Sequence, residues 1–332
     1  MRRAILAVAM CVLLLAAFYT FGVPIDNSRL VKIGILSLND VRLEKLNGLK
    51  DHLKMFDYEE GKSITYMVLN ANSDISKLPS LAEQLVINTP DVLVAAGAGE
   101  ARALVQATSG LENPPAIIFM GTVSPKKLGL IENEAHPTAN VTGLDNYHLD
   151  LNPKRLEIIH RMLPHVKTVA LLGDQRMSSF ETAHETLANV ARELNIKVNT
   201  YTVSNSEEIS QVFKELILVK TDAIMLLSGF FLETSTEEIV ELATDKGIPV
   251  FGVYPSDAEK GCLASYGTSY YSQGAQSAEM VHKVLMGYSP KNIPVETPDK
   301  LTFVVNLQTA KRLDIHLTPN ILCLADQVIQ PK

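Results

Sequence analysis

Groups able to do chemistry are thinly spread in this sequence, and their spacing matches no common catalytic arrangement. Signatures of the forms GxxxxGK[ST], HExxH and GxSxG are absent. The histidines (His52, His136, His148, His160, His165, His184, His282 and His316) include no i,i+4 pair with a third ligand nearby. They read as surface or locally hydrogen-bonded groups, and no metal site is expected. The cysteines Cys11, Cys262 and Cys323 contain no CxxC. Cys262 and Cys323 are expected as free buried thiols, a disulfide outside the cytoplasm being the alternative. One segment imitates a nucleotide site. Gly97-Ala98-Gly99 sits between a strand and a helix, but Arg102 stands where the third small residue of a dinucleotide fingerprint belongs, and the turn follows the third strand, not the first. Its physical content survives: glycines let a ligand approach the backbone, and a helix N-terminus offers free N–H groups to an anion. A plain tight turn accounts for the glycines equally well. Neither an enzyme nor a cofactor is expected.

The elements that must position such groups alternate along the chain. Short runs rich in Val, Ile, Leu and Ala read as buried strands, and amphipathic stretches of about a dozen residues as helices. Strands are predicted at 31–38, 64–69, 91–96 and 116–120, with helices at 43–55, 75–87 and 100–107. After a break at about 135–165 the rhythm restarts. Strands are predicted at 168–172, 198–203, 223–227 and 249–253, with helices at 179–194, 206–218 and 234–246. Strand 263–267, helix 272–286, strand 301–306 and helix 307–313 follow. Near-continuous apolar strands between helices imply parallel sheets covered on both faces. Two lobes fit better than a single sheet of about ten strands. The fold class is therefore α/β, with two doubly wound parallel-sheet lobes joined by a hinge. The expected division is 1–23 as an export or anchor segment, 30–143 plus about 267–298 as lobe one, and 144–266 plus about 299–332 as lobe two. Thr142-Leu144 is taken as the first passage between lobes.

Ligands of open α/β sheets sit beyond the carboxyl ends of the strands. That rule selects Ser37, Leu38, Ala96, Gly97, Ala98, Thr122, Val123 and Ser124 in lobe one. In lobe two it selects Asp174, Ser228, Gly229, Phe230 and Tyr254. Hydroxyls, glycines and aromatics dominate, a lining suited to holding a small molecule. Asp174 is its only ionisable member, which makes a poor acid–base set. Each choice has a plainer reading. Thr122, Ser124 and Ser179 suit helix caps. Phe230 and Phe231 suit packing under a loop; on an extended segment only one of them can face a ligand. Asp145, Tyr266 and Ser269 complete the ligand-binding candidates, although Tyr266, like Tyr270 and Tyr271, suits core or hinge packing.

Composition supports a folded body: 46% of residues are hydrophobic and 20% charged. Net charge is −7, and residues 1–23 contain Arg2 and Arg3 but no acid, so the rest is more acidic still. An acidic body with no basic–aromatic cluster excludes a nucleic-acid role. Met1-Arg2-Arg3 followed by uncharged Ala4–Val23 reads as an export segment, long enough to remain as a membrane anchor. Basic residues before it place the body outside the cytoplasm. Thr20-Phe21-Gly22 is a weak cleavage site. Met10 before Cys11 is not the small residue that lipidation needs, so Cys11 reads as an apolar residue.

Ordered landmarks from Val31 to about Pro319 resemble the extracytoplasmic substrate-binding proteins of ABC transporters, in the group with tryptophan- and tyrosine-binding members. They are Val31-Lys32-Ile33-Gly34-Ile35-Leu36, Pro90-Asp91-Val92-Leu93-Val94-Ala95, Asn140-Val141-Thr142-Gly143-Leu144 and Gly247-Ile248-Pro249-Val250-Phe251. Ala264-Ser265-Tyr266-Gly267, Tyr270-Tyr271, Gly274 and Asn306 with Ala310-Lys311-Arg312-Leu313 complete the set. The resemblance implies a type I periplasmic-binding-protein fold whose lobes close on a ligand. It also implies an ABC permease with its ATPase as partners. The alternative is a sensing domain acting with a membrane signalling partner. Three positions depart from the family pattern: Ser124 before Pro125, Ser269 before Tyr270, and Ser228-Gly229 after the strand at 223–227 replace acidic residues. An amino-acid ammonium then looks to Asp145 or Asp174. The expected cleft is more neutral and more apolar than the family's, suited to an aromatic or largely neutral ligand, an amino acid among the options.

Overall fold

The computed structural model describes residues 29–137, 140–177 and 179–331. The export segment, Cys11 and the side chain of Ser179 lie outside what it describes.

The first apolar run forms β1 (Val31–Ser37) beside β3 (Val92–Ala95). Their alternate residues serve two cores. Ile33, Ile35, Val92 and Val94 are buried against α1 (Leu43–Lys54), while Leu36, Leu93 and Ala95 are buried against α2 (Leu78–Ile87) and α3 (Ala98–Thr108). Burial on both faces is why these strands read as unbroken apolar runs. With β2 (Ile64–Asn70), β4 (Ala116–Thr122) and β5 (Val141–Asp145) they make a parallel sheet of order β2-β1-β3-β4-β5.

The second sheet takes β6 (Thr168–Asp174), β7 (Lys197–Val203), β8 (Ala223–Leu226), β9 (Val250–Gly252), β10 (Ala264–Gly267), β11 (Thr302–Asn306) and β12 (Gln327–Ile329). Their order is β12-β11-β10-β9-β8-β6-β7, with β10 and β11 antiparallel and the other pairings parallel. One face packs on α4 (Asn152–Met162) and α5 (Ser179–Glu193) through Leu156, Ile159, Ala183 and Leu187. The other packs on α6 (Ser206–Leu218) and α7 (Phe230–Thr244) through Ile209, Phe213, Leu232 and Ile239. The short α8 (Pro255–Glu259) follows β9.

After β10 the chain returns to the first sheet as α9 (Tyr270–Leu285), which lies against α1. Two glycines allow this crossing. A Cβ at Gly48 would overlap the carbonyl oxygen of Tyr271, and one at Gly274 would overlap that of Lys45. The helices therefore meet backbone to backbone, and this sets how far α1 and α9 reach towards the cleft. The last crossing leads to β11, α10 (Leu307–Arg312) and α11 (Pro319–Leu324) in the second lobe.

Residues read as a break between lobes hold real elements. Thr142-Leu144 lies inside β5, at the edge of the first sheet, and the passage begins after Asp145. The Asp145 amide is tied to the Glu296 carbonyl at 2.9 Å, so two crossings run side by side. α7 starts four residues before its predicted start, at Phe230. Phe230 and Phe231 are thus helical, not extended. Cys262 is a buried free thiol; Cys323 is also free but exposed, contrary to its expected burial.

Candidate functional site

Strand order reverses between β1 and β3 in one sheet and between β6 and β8 in the other. The carboxyl ends at these two switch points face one another, where such sheets bind ligands.

The chain leaves β1 through Asn39, whose side chain accepts from the Arg42 amide at 3.1 Å and fixes a short 3-10 turn before α1. The Arg42 side chain, 6% exposed, then spans the lobes. Its Nε and Nη2 each donate to Glu233 of α7 at 2.9 Å. Its Nη1 donates to both oxygens of Glu100 on α3 at 3.0 Å. Glu100 also accepts from the Leu38 amide at 2.9 Å. The guanidinium lies 4.9 Å from the centre of the Phe230 ring. Burial alone would weaken its hold on its proton, but Glu100 and Glu233 outweigh burial and keep its pKa well above the ordinary value.

Lys45 follows on the same side of α1. Its Nζ donates to the carbonyl oxygens of Met120 at 2.6 Å and Ala96 at 2.7 Å, closing the ends of β4 and β3. No carboxylate bonds to it. Burial, with Arg42 nearby, pushes its pKa down to about 7.

Phe230 and Tyr254 are the aromatic members of the lining. Tyr254 stacks on Tyr270 with centroids 4.3 Å apart, and His148 meets Tyr254 edge-on at 4.8 Å. Behind them, Arg155 donates to the carbonyls of Tyr266 and His148 at 2.8 Å and approaches His148 Nδ1 at 2.8 Å. Arginine only donates, so His148 Nδ1 must accept and its proton sits on Nε2. Burial first, then Arg155, hold His148 neutral with a pKa well below the usual value.

Several buried polar groups here have no hydrogen-bond partner: Thr122 Oγ1, Tyr270 Oη, and both amide atoms of Gln273. Buried polar atoms are normally satisfied. Of these only Thr122 lines the space between the lobes; Tyr270 and Gln273 are buried in α9 behind it. With the lobes as they stand, the enclosed space is only about 20 Å³, room for about one water. Ala98, Met177 and Phe230 also line a larger vestibule of about 590 Å³, edged by Asp74 and Arg102 from one lobe and Arg176 from the other.

The structure brings half of the sequence-derived residues to this space: Gly97, Ala98, Thr122, Val123, Ser228, Gly229, Phe230 and Tyr254. Ala96 contributes its carbonyl to Lys45. The others are engaged elsewhere. Ser37 Oγ donates to the Asn39 carbonyl at 2.9 Å, and the Leu38 side chain is in the lobe-one core. Asp145 accepts from the Ser124 and Tyr147 amides at 3.3 and 2.9 Å, at the hinge, and burial pushes its carboxyl up to about 6. Asp174 is taken by Arg176 at 2.8 and 2.9 Å and by the Phe231 amide at 2.7 Å. Tyr266 packs on Phe303, and Ser269 caps α9 through Ser272.

The expectation of a nearly uncharged cleft is corrected. Arg42, Lys45, Glu100 and Glu233 form a buried ionic cluster at its centre, and Asp174 is not among the groups facing the space. Their spacing is only a weak signal in the sequence, because a charge at such a position ordinarily reads as solvent-facing. Arg42 and Lys45 extend the buried stripe of Leu49 and Leu53 at helical spacing, and Glu100 and Glu233 occupy first turns directly after cleft-facing loops. Among the described residues no cluster of His, Cys, Asp and Glu could hold a metal ion.

Two lobes of this topology meeting around a buried polar site define a binding protein of the type I periplasmic fold. The chain belongs to the ABC transporter substrate binding protein family, which residues 32–329 match. This family binds small molecules outside the cytoplasm and works with an ABC permease. A tyrosine-binding protein of Clostridioides difficile is 26% identical over 292 residues, 87% of this chain and 83% of its own. A domain from Streptococcus pneumoniae crystallised with L-Trp superposes with a TM-score of 0.82 at 25% identity, over 91% of this chain and all of its own. A ligand-free, open substrate-binding protein from Clostridium difficile, 24% identical, superposes with a TM-score of 0.70 over 91% of this chain and all of its own. Among the described residues no helix is long and apolar enough to cross a membrane.

Proposed function

We propose that this protein captures an α-amino acid, aromatic by preference, and delivers it to a permease driven by a cytoplasmic ATPase. The observation that carries this reading is the pairing of buried carboxylates with unpartnered donors across one cleft. Glu233, backed by Glu100, suits an ammonium group. The Thr122 hydroxyl and the first N–H groups of α3 suit a carboxylate, with the unpartnered Gln273 amide buried behind them. Phe230, once Arg42 leaves its face, and Tyr254, stacked from behind by Tyr270, would offer aromatic contact to a side chain. Acids missing from the positions of Ser124, Ser228-Gly229 and Ser269 are thus replaced from α3 and α7. The tyrosine-binding relative and the L-Trp-bound neighbour support the same ligand class. Ala4–Val23, retained as an anchor, would keep the body near its permease. Ligand contacts in both lobes shift the equilibrium towards closure.

A thermal-shift screen of amino acids, nucleosides and short peptides on the purified protein tests this. L-Tyr or L-Trp should raise the melting temperature by an amount that grows with concentration. A screen with no shift from any amino acid contradicts the proposal.

A further inference from the structure

The group that closes this cleft belongs to the protein. Arg42, carried by lobe one, makes a two-pronged ion pair with Glu233 of lobe two and covers Phe230 of the same lobe. The Arg42 and Glu233 side chains are 6% and 4% exposed, and only about 20 Å³ remains beside them. A ligand therefore cannot enter this arrangement without moving Arg42 away from Glu233. Once moved, Glu233 would be a buried carboxylate with no hydrogen-bonded cation, since Lys45 Nζ is held by the carbonyls of Ala96 and Met120, a strongly unfavourable state. A neutral or anionic ligand leaves that charge unpaired; a ligand bearing an ammonium does not. Arg42 keeps Glu100 as its partner on its own lobe in either case.

We propose that Arg42 is an internal competitor for the ligand's ammonium: it holds Glu233 while the cleft is empty and yields it only to a ligand that brings a cation. This rests on the amino-acid reading above and adds two things to it. The empty protein is largely closed, and the discrimination lies at the ammonium end of the ligand, by leaving wrong ligands opposite an unpaired charge.

The test uses the purified protein with Arg42→Met, Arg42→Lys and Glu233→Gln variants. Arg42→Lys keeps a cation beside Glu100 but loses the fork that spans both carboxylates, so it covers the case in which Arg42→Met does not fold. Small-angle scattering without ligand should give a larger radius of gyration for the Arg42 variants than for the wild type. Calorimetry should show those variants binding L-Tyr or L-Trp more tightly, about tenfold if nine-tenths of the empty wild type is latched. The wild type should reject the des-amino acids, 3-(4-hydroxyphenyl)propionate and indole-3-propionate, by about 100-fold or more. In Glu233→Gln that preference should collapse towards equal binding.

Arg42 variants that stay as compact as the wild type, or that bind the amino acids more weakly, overturn the proposal. So does a wild type that accepts the des-amino acids as well as the amino acids. A protein that opens on Arg42 substitution yet binds no amino acid in any form refutes the amino-acid reading and the role at the ammonium, and leaves the latch standing.

Discussion

Thr122 and Lys45 are single polar side chains buried in the cleft at some expense to the fold. The Thr122 hydroxyl is 1% exposed as part of its residue and bonds to nothing. Thr122→Val keeps its shape and removes an unsatisfied group. We expect the melting temperature to hold or rise, while affinity for the amino acid falls by about tenfold, the worth of one hydrogen bond; fluorimetric melts beside calorimetric titrations check both. Lys45 is a buried ammonium whose proton leaves near pH 7 in the folded protein but near its ordinary 10.5 in the unfolded chain. Between those values the unfolded state holds more protons, so stability rises with pH. The gain has a ceiling on the order of 1 kcal/mol per pH unit. Denaturant melts at pH 7 and pH 9 should show that rise in the wild type and lose it in Lys45→Met. Thr122 and Tyr254 were legible in the sequence because they directly follow apolar strands, where the strand-end rule looks. Arg42 and Lys45 were not, since they stand on the second side of a loop, at helix positions where a charge reads as solvent-facing. Only the partners that α3 and α7 bring to them explain their burial.

At the scale of elements, α1 brings Lys45 to the cleft and α9 packs behind it, their backbones touching through Gly48 and Gly274. Gly274→Ala must push the helices apart. Overpacking of this kind costs typically about 1–3 kcal/mol, and backbone contact places the expected loss at about 3. A urea or thermal unfolding series should show it, together with weakened ligand binding because Gln273 and Lys45 move. An alanine that melts and binds like the wild type would remove this account of the crossing. The strands and helices that flank this contact were largely readable, because burial on two faces writes an unbroken apolar run into each central strand. The segment 135–165 was misread for a physical reason. β5 is a short edge strand containing Gly143, and α4 begins at Asn152-Pro153, so Gly and Pro marked loops where they mark element ends. The three-residue β12 carries too little pattern to detect.

The whole molecule is a pair of sheets whose switch points face each other, with crossings tied together at Asp145 and Glu296. Doubling of the βα rhythm made this architecture visible in the sequence. The ionic contact between lobes was not visible, because Arg42 and Glu233 are 191 residues apart and nothing local pairs them. The proposed ligand site depends on Glu233 as the acceptor of a ligand ammonium in a cleft that closes around one amino acid. Calorimetric titration of the wild type and Glu233→Gln with L-Tyr and L-Trp tests this most directly. We predict one ligand per chain for the wild type and at least about 30-fold weaker binding for the variant, the effect of losing a buried charged hydrogen bond. No binding of either amino acid by the wild type, or equal binding by wild type and variant, would contradict the account.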